Sequence, residues 1–150
     1  GVGGASDLLP GLNLGPTFTN VPGGTAHWVF TGGTNYNDQA GDVSIVINKA
    51  DATCSISGTT VTYNGQPHGA TGQCTGVGGA SDVLPGLNLG ATFTNVPGGS
   101  AHWTFTGGTN YNDQAGDVSI VINKADASCS INGGRRWAKI TSGDSVLWFS

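Results

Sequence analysis

From Asp42 to Asn48 apolar and polar positions alternate, with Val43, Ile45 and Ile47 on one face and Asp42, Ser44 and Val46 on the other. That period of two is what a half-buried β-strand requires, because successive side chains leave a pleated backbone on opposite sides. Ala26-His27-Trp28-Val29-Phe30 has the same rhythm, turning Ala26, Trp28 and Phe30 inward and His27 and Val29 outward. Further strands are predicted at Cys54-Ser55-Ile56, Thr60–Tyr63, Ala70–Thr75, Ala91–Asn95 and Ala101–Thr106. Asn64-Gly65 tolerates the positive φ angles of a tight hairpin turn. Pro85-Gly86, Pro97-Gly98-Gly99 and Gly107-Gly108 mark other connections. Composition points the same way: 27 of 150 residues are glycine, and methionine and glutamate are absent, which removes strong helix formers. The expected class is all-β.

The strand pattern is written twice. Residues 1–56 and 76–131 align at a constant offset of 75 and differ at five positions: Leu8/Val83, Pro16/Ala91, Thr25/Ser100, Val29/Thr104 and Thr53/Ser128. Val29/Thr104 lies on the outward strand face, where a hydroxyl costs little. A period of this kind signals an array of units. The boundary falls near Asn48-Lys49-Ala50-Asp51 and Asn123-Lys124-Ala125-Asp126. This divides the chain into an incomplete unit at 1–50, lacking its opening strands, a complete unit at 51–125, and a segment at 126–150 that starts a third unit and then diverges. Six or seven short strands per unit with frequent turns suggest a small immunoglobulin-like β-sandwich, so the expected architecture is a tandem of such units with the first incomplete. The opening Gly1, without a methionine or signal-peptide pattern, suggests a processed product, an excised piece or part of a longer gene.

A unit this small buries a thin core and needs a staple. Cys54 and Cys74 sit in the complete unit on strands flanking Asn64-Gly65, and a disulfide between them is expected in preference to two buried thiols. If Asn64-Gly65 were a two-residue turn, Cys54 would face Thr75. The bridge therefore calls for a bulge near Pro67 or for a different turn. Cys129, the twin of Cys54, has no partner twenty residues on, so it is either unpaired or pairs between chains.

The runs TGGTNYNDQAGDVSIVINKADATCSI, VTYNGQPH and GQCTGVGG resemble the bacterial immunoglobulin-like repeats of very large secreted or surface proteins, including MBG-type domains. The resemblance covers residues 1–131. It implies an extracellular or cell-surface stalk, adhesin or matrix element without catalysis, whose repeats act as spacers or weak binders.

Charge excludes other classes. The net charge is −4, and residues 1–132 hold only Lys49 and Lys124 against eight aspartates, which is unsuited to a phosphate backbone, so no nucleic-acid partner is expected. No apolar run is long enough to span a membrane as a helix. Gly1-Val2-Gly3-Gly4-Ala5-Ser6 and its twin superficially resemble phosphate loops, yet Leu8-Leu9-Pro10-Gly11 offers neither a helix N-terminus nor a lysine. His27, His68 and His102 lie outside any nucleophile or metal motif, and neither catalytic, cofactor nor metal residues are expected. Asn35–Asp42 and its twin present hard oxygens in a glycine-bearing loop, as calcium sites do, but asparagine and aspartate equally build turns. Lys49 and Lys124 near Asn48, Asn123 and Asp51 raise an isopeptide bond as the minor alternative to solvated boundary lysines.

Residues 133–150 change regime, with Arg135, Arg136 and Lys139 against Asp144. Trp137–Thr141 and Ser145–Phe149 could pair as a hairpin across Ser142-Gly143-Asp144. Alternatively the tail is a degenerate end. The first unit, short of strands, should leave an unpaired edge and an open core. Asp126–Ile131 and the tail could fill that gap within the chain or from an identical chain, by strand complementation. The function expected is a non-catalytic structural repeat that meets neighbouring repeats or identical chains. The alternative is a carbohydrate-binding module using His27, Trp28, Tyr36 and their twins on glycans.

Overall fold

Alternating sequence becomes alternating burial over residues 25–30, 100–105 and 114–123. In the computed structural model, which describes residues 1–132 and the backbone of two strands in 138–149, the chain is mostly β-strand with two short 3-10 turns, Gly4–Ser6 and Gly79–Ser81. In order the strands are β1 (Leu12–Asn13), β2 (Gly23–Phe30), β3 (Gln39–Val46), β4 (Thr53–Ser57), β5 (Thr59–Thr62) and β6 (Thr71–Thr75). They continue as β7 (Leu87–Asn88), β8 (Gly98–Phe105), β9 (Gln114–Asn123), β10 (Ala138–Ser142) and β11 (Ser145–Phe149). On β9 the inward set Gln114, Gly116, Val118, Ile120 and Ile122 is half-buried or buried, while the residues between are exposed.

Both copies use the same pairing. In the first, the order is β1-β2-β3, and β2 runs antiparallel to β3 with Trp28 opposite Gly41. In the second, β7-β8-β9 repeats that order with Trp103 opposite Gly116, and β5 adds parallel to β9 to give β5-β9-β8-β7. The small partner is forced by the indole. A Cβ on Gly41 or Gly116 would lie 2.9 Å from the Nε1 of the facing tryptophan, so the ring covers bare backbone. Both copies also carry the same cis peptide, at Val21-Pro22 and Val96-Pro97.

The disulfide register differs from the expected hairpin. Cys54 and Cys74 stand directly opposite each other in the antiparallel β4–β6 ladder and are bonded, and no bulge separates them. The reason is that β5 leaves the sheet of β4 after Gly58 and joins β9 instead, so Asn64-Gly65 never sets the β4–β6 register. A side chain at Gly58 would collide with the Ser119 carbonyl, which is how closely the crossing chain passes β9. Asn64 still makes a turn, its Oδ1 accepting from the Gln66 amide at 2.9 Å, and Gly65 has φ 78°. The strand expected at Ala91–Asn95 reduces to one bridge, Phe93 to His68.

Core formation follows the strand count. Among the described residues the buried apolar ones are Ala26, Ala52, Cys74, Ala101, Phe105, Ile120 and Ile122, of which Ala26 alone belongs to the first copy. Phe105 packs with Ala52 and Cys74, ringed by Cys54, Leu84, Leu87, Trp103 and Tyr111. Its twin Phe30 is only half-buried, and Leu12, Leu14 and Val43 are exposed where Leu87, Leu89 and Val118 are half-buried. Identical residues thus lose their cover where the counterpart of residues 51–75 is missing.

Strands β10 and β11 pair antiparallel with Ser142 opposite Ser145, in the hairpin arrangement of the first tail reading. Trp137, Arg135, Arg136, Gly143 and Asp144 lie outside the described residues, as do the tail's side chains.

Candidate functional site: the junction between copies

The strongest constellation in the molecule is polar and lies where the first copy meets the second. Loop 106–113, between β8 and β9, together with Gln114 at the start of β9, reaches back to the segment that links the copies. Ala50 donates its amide to the Asn110 carbonyl at 2.9 Å, and Asn112 donates its own to the Ala50 carbonyl at 2.9 Å. The Asn110 side chain is used at both ends: Oδ1 accepts from the Val21 amide at 3.0 Å, and Nδ2 donates to Asn20 Oδ1 at 2.9 Å. Lys49 Nζ donates to the Gly108 carbonyl at 2.7 Å. On the far side of the linker, Asn112 Nδ2 donates to Asp51 Oδ1 and Gln114 Nε2 to the Ala52 carbonyl, both at 2.7 Å. Two backbone bonds around one residue fix the direction of the linker, and the amide side chains fix its register. Burial tracks this: Val21, Ala50, Asn110 and Gln114 are half-buried, whereas their twins Val96, Ala125, Asn35 and Gln39 are exposed.

The junction places the boundary lysine differently from expectation. Lys49 is exposed but bonded across the boundary, so its amine serves to couple the copies and is not simply solvated.

The other candidates serve local structure. Asp38 Oδ1 accepts from the Gly32 amide and Asp113 Oδ1 from the Gly107 amide, each at 2.8 Å, which closes the asparagine-rich loop on itself. In the glycine loop, the Gly78 amide donates to Asp82 Oδ2 at 3.1 Å and the Gly3 amide likewise to Asp7 Oδ2. The chain's own carboxylate sits where a phosphate would have to bind, and like charge repels it. Among the described residues no group of three or more His, Cys, Asp or Glu side chains converges as a metal site would.

His27 Nδ1 lies 2.8 Å from Asp42 Oδ1, and His102 Nδ1 lies 2.9 Å from Asp117 Oδ1. These are cross-strand pairs on the outer sheet face with side chains more than 60% exposed, the kind of surface pair worth at most about 1 kcal/mol. Trp28 points to the opposite face, over Gly41, and the Tyr36 hydroxyl accepts from the Val2 amide at 3.4 Å. His27, Trp28 and Tyr36 are therefore not gathered on one surface. Cys129 is exposed and unpaired among the described residues.

Sequence reading singled out the asparagine loop and the boundary lysines but did not join them. The signal was present in Asn110 and Lys49, yet the partners are 89 and 59 residues away, and no local pattern links them. Comparison with protein-family models, with curated proteins and with solved structures finds no match to this chain.

Asn110→Ala removes both side-chain bonds to Asn20 and Val21 and leaves the half-buried Val21 amide without its acceptor. The expected cost is about 1–2 kcal/mol at the junction, read as a roughly tenfold faster hydrogen exchange at Val21 with β8–β9 amides unchanged. An unchanged Val21 rate would show that the junction does not form in solution.

Proposed function

We propose that this chain is part of a non-catalytic, extracellular structural array: a spacer, adhesive stalk or matrix element assembled from small immunoglobulin-like sandwich units of 75 residues. The observation that carries the reading is the junction. Consecutive copies joined by a hydrogen-bonded linker have a set orientation, and a string of such units transmits force and spans distance where a free linker would coil. The Cys54–Cys74 disulfide supports placement outside the reducing cytosol, because so small a core gains much from a cross-link that cytosolic thiols would open. Among the described residues no helix is long and apolar enough to cross a membrane.

Force spectroscopy tests the mechanical reading. Pulled from both ends, the chain is expected to show a discrete unfolding event for the disulfide-bearing unit. The residues between the cysteines, 20 apart in sequence, stay closed until reduction, which adds about 60–70 Å of contour at the usual extended length per residue. Smooth polymer-like stretching without an event would remove the basis for a load-bearing role.

A further inference from the structure

The internal junction is built from residues that all occur twice, so the molecule carries both halves of the same joint a second time, unused among the described residues. At the end of the second copy, a cleft of about 380 Å³ is lined by Tyr63, Asn95, Val96, Lys124 and Ala125. Its counterpart at the end of the first copy is lined by Asn20, Val21 and Ala50, and there Asn110 and Tyr111 of the second copy form the opposing wall. On the first copy, the loop matching Asn110–Gln114 is Asn35–Gln39, exposed except for Tyr36.

We infer that a second copy of this chain docks head to tail, its Gly33–Gln39 loop seated on Asn95, Val96 and the Lys124–Ala127 segment with the contact set of the internal junction. This inference rests on the array reading above. Every internal bond has a translated equivalent. Asn35 would bridge the Val96 amide and Asn95 Oδ1, and Lys124 Nζ would meet the Gly33 carbonyl. The Ala125 amide and carbonyl would pair with Asn35 and Asn37, and Gln39 would reach the Ala127 carbonyl.

A second observation supports the same occupant. Ala52, the first residue of the complete unit's core, covers Phe105, while its twin Ala127 is exposed and Phe30 of the first copy is only half-buried. Seating Asp126–Ile131 of one chain beside the open first unit of another would bring Ala127 against Phe30, as Ala52 lies against Phe105. The contact surfaces differ from one another, so the association is heterologous and builds rings or open chains, never a two-fold dimer with both faces used. It also lacks the tether that gives the internal junction a high effective concentration, so it requires concentrated protein.

The experiment is sedimentation velocity on the full chain across a concentration series, in a Cys129→Ser background. That background prevents disulfide dimers while leaving Cys54–Cys74 oxidised. The expected result is a weight-average mass that rises without a ceiling at dimer. Asn35→Ala with Gln39→Ala should block the loop face, and Asn95→Ala with Ala125→Pro the seat, each weakening association at least about tenfold. Mixing the two blocked variants leaves one intact face on each and should yield a one-to-one dimer that grows no further. A chain that stays monomeric at millimolar concentration, or a dimer indifferent to both variants, overturns the inference. Hydrogen exchange at the Val21 and Ala50 amides in the same samples separates the two readings. Protected amides in a monomeric chain sink the docking alone, and unprotected amides sink the array reading with it.

Discussion

Phe105→Ala is expected to destabilise the complete unit by about 3–5 kcal/mol, whereas Phe30→Ala, the same change at the twin position, should cost about 1 kcal/mol. Phe105 is 2% exposed and packs against Ala52 and Cys74, so deleting its ring opens a cavity among side chains held by a disulfide and by β-ladders on two sheets. Such a site collapses poorly, which keeps the cavity penalty high. Phe30 has the same neighbours in sequence except Val29, where Thr104 precedes Phe105, but among the described residues no counterpart of Cys74 or β6 lies over it, and water already reaches part of the ring. Removing it forfeits only a partial transfer gain and leaves little void. Because the copies need not unfold together, the measurement must be unit-specific. Denaturant-dependent hydrogen exchange at β9 for Phe105→Ala and at β3 for Phe30→Ala provides it. Equal losses at the two positions would show that the first copy is covered in solution by something the isolated chain does not place there. A chain concentrated enough to associate head to tail would shift the Phe30 value upward, so both variants belong at low micromolar concentration.

The contrast between twins also shows how far local sequence reaches. Strand identity and facing were legible at Ala26–Phe30, because alternation is a property of neighbours and needs no knowledge of the rest of the chain, whereas the strand expected over Asp42–Asn48 ends at Val46 and leaves Val43 exposed. The all-β class was legible too. What failed depends on partners distant in sequence. Thr60–Tyr63 was expected to return through Asn64-Gly65 to the cysteine strand, yet β5 instead lies parallel to β9, pairing Thr60 with Val121, sixty-one residues on. A turn signal states that the chain reverses, not which sheet receives it. Leu12–Asn13 and Leu87–Asn88 are strands two residues long, too short to show any period, and exist through pairing with the ends of β2 and β8. The junction was harder still. Asn110 reads locally as turn chemistry, and its loop is closed by Asp113, so the local reading was correct but incomplete. Only the fold brings its side chain to Asn20 and Val21, and the twin Asn35, with the same local sequence, remains exposed.

Reducing the Cys54–Cys74 disulfide should lower the stability of the complete unit by about 3 kcal/mol, the loop-closure value for a separation of 20 residues. For a unit of this size that corresponds to a fall of roughly 10–20 °C in melting temperature. Reduction is the cleaner perturbation, since both sulfurs remain and the volume filled at Cys74, which is fully buried, changes little. Cys54→Ala with Cys74→Ala removes the cross-link and also the packing of two side chains in the Phe105 cluster, so it should cost more than reduction by about 1–2 kcal/mol. Cys129→Ser should leave the oxidised melting temperature unchanged, because the Cys129 side chain is exposed and the oxidised unit does not depend on it. A reduced protein melting within about 2 °C of the oxidised one would mean that the β4–β6 ladder is held by its hydrogen bonds and its packing on Phe105 alone. The size of the effect bears on where such a unit can work. A core whose buried side chains are two alanines, two isoleucines and one phenylalanine around a cystine sulfur has little margin, and a cross-link of this magnitude supplies a large share of it. β5 follows β4 across Gly58 alone and lies at the edge of its sheet, so opening the disulfide should loosen the Thr59–Thr62 amides before those of β8, an order that hydrogen exchange under mild reduction would reveal.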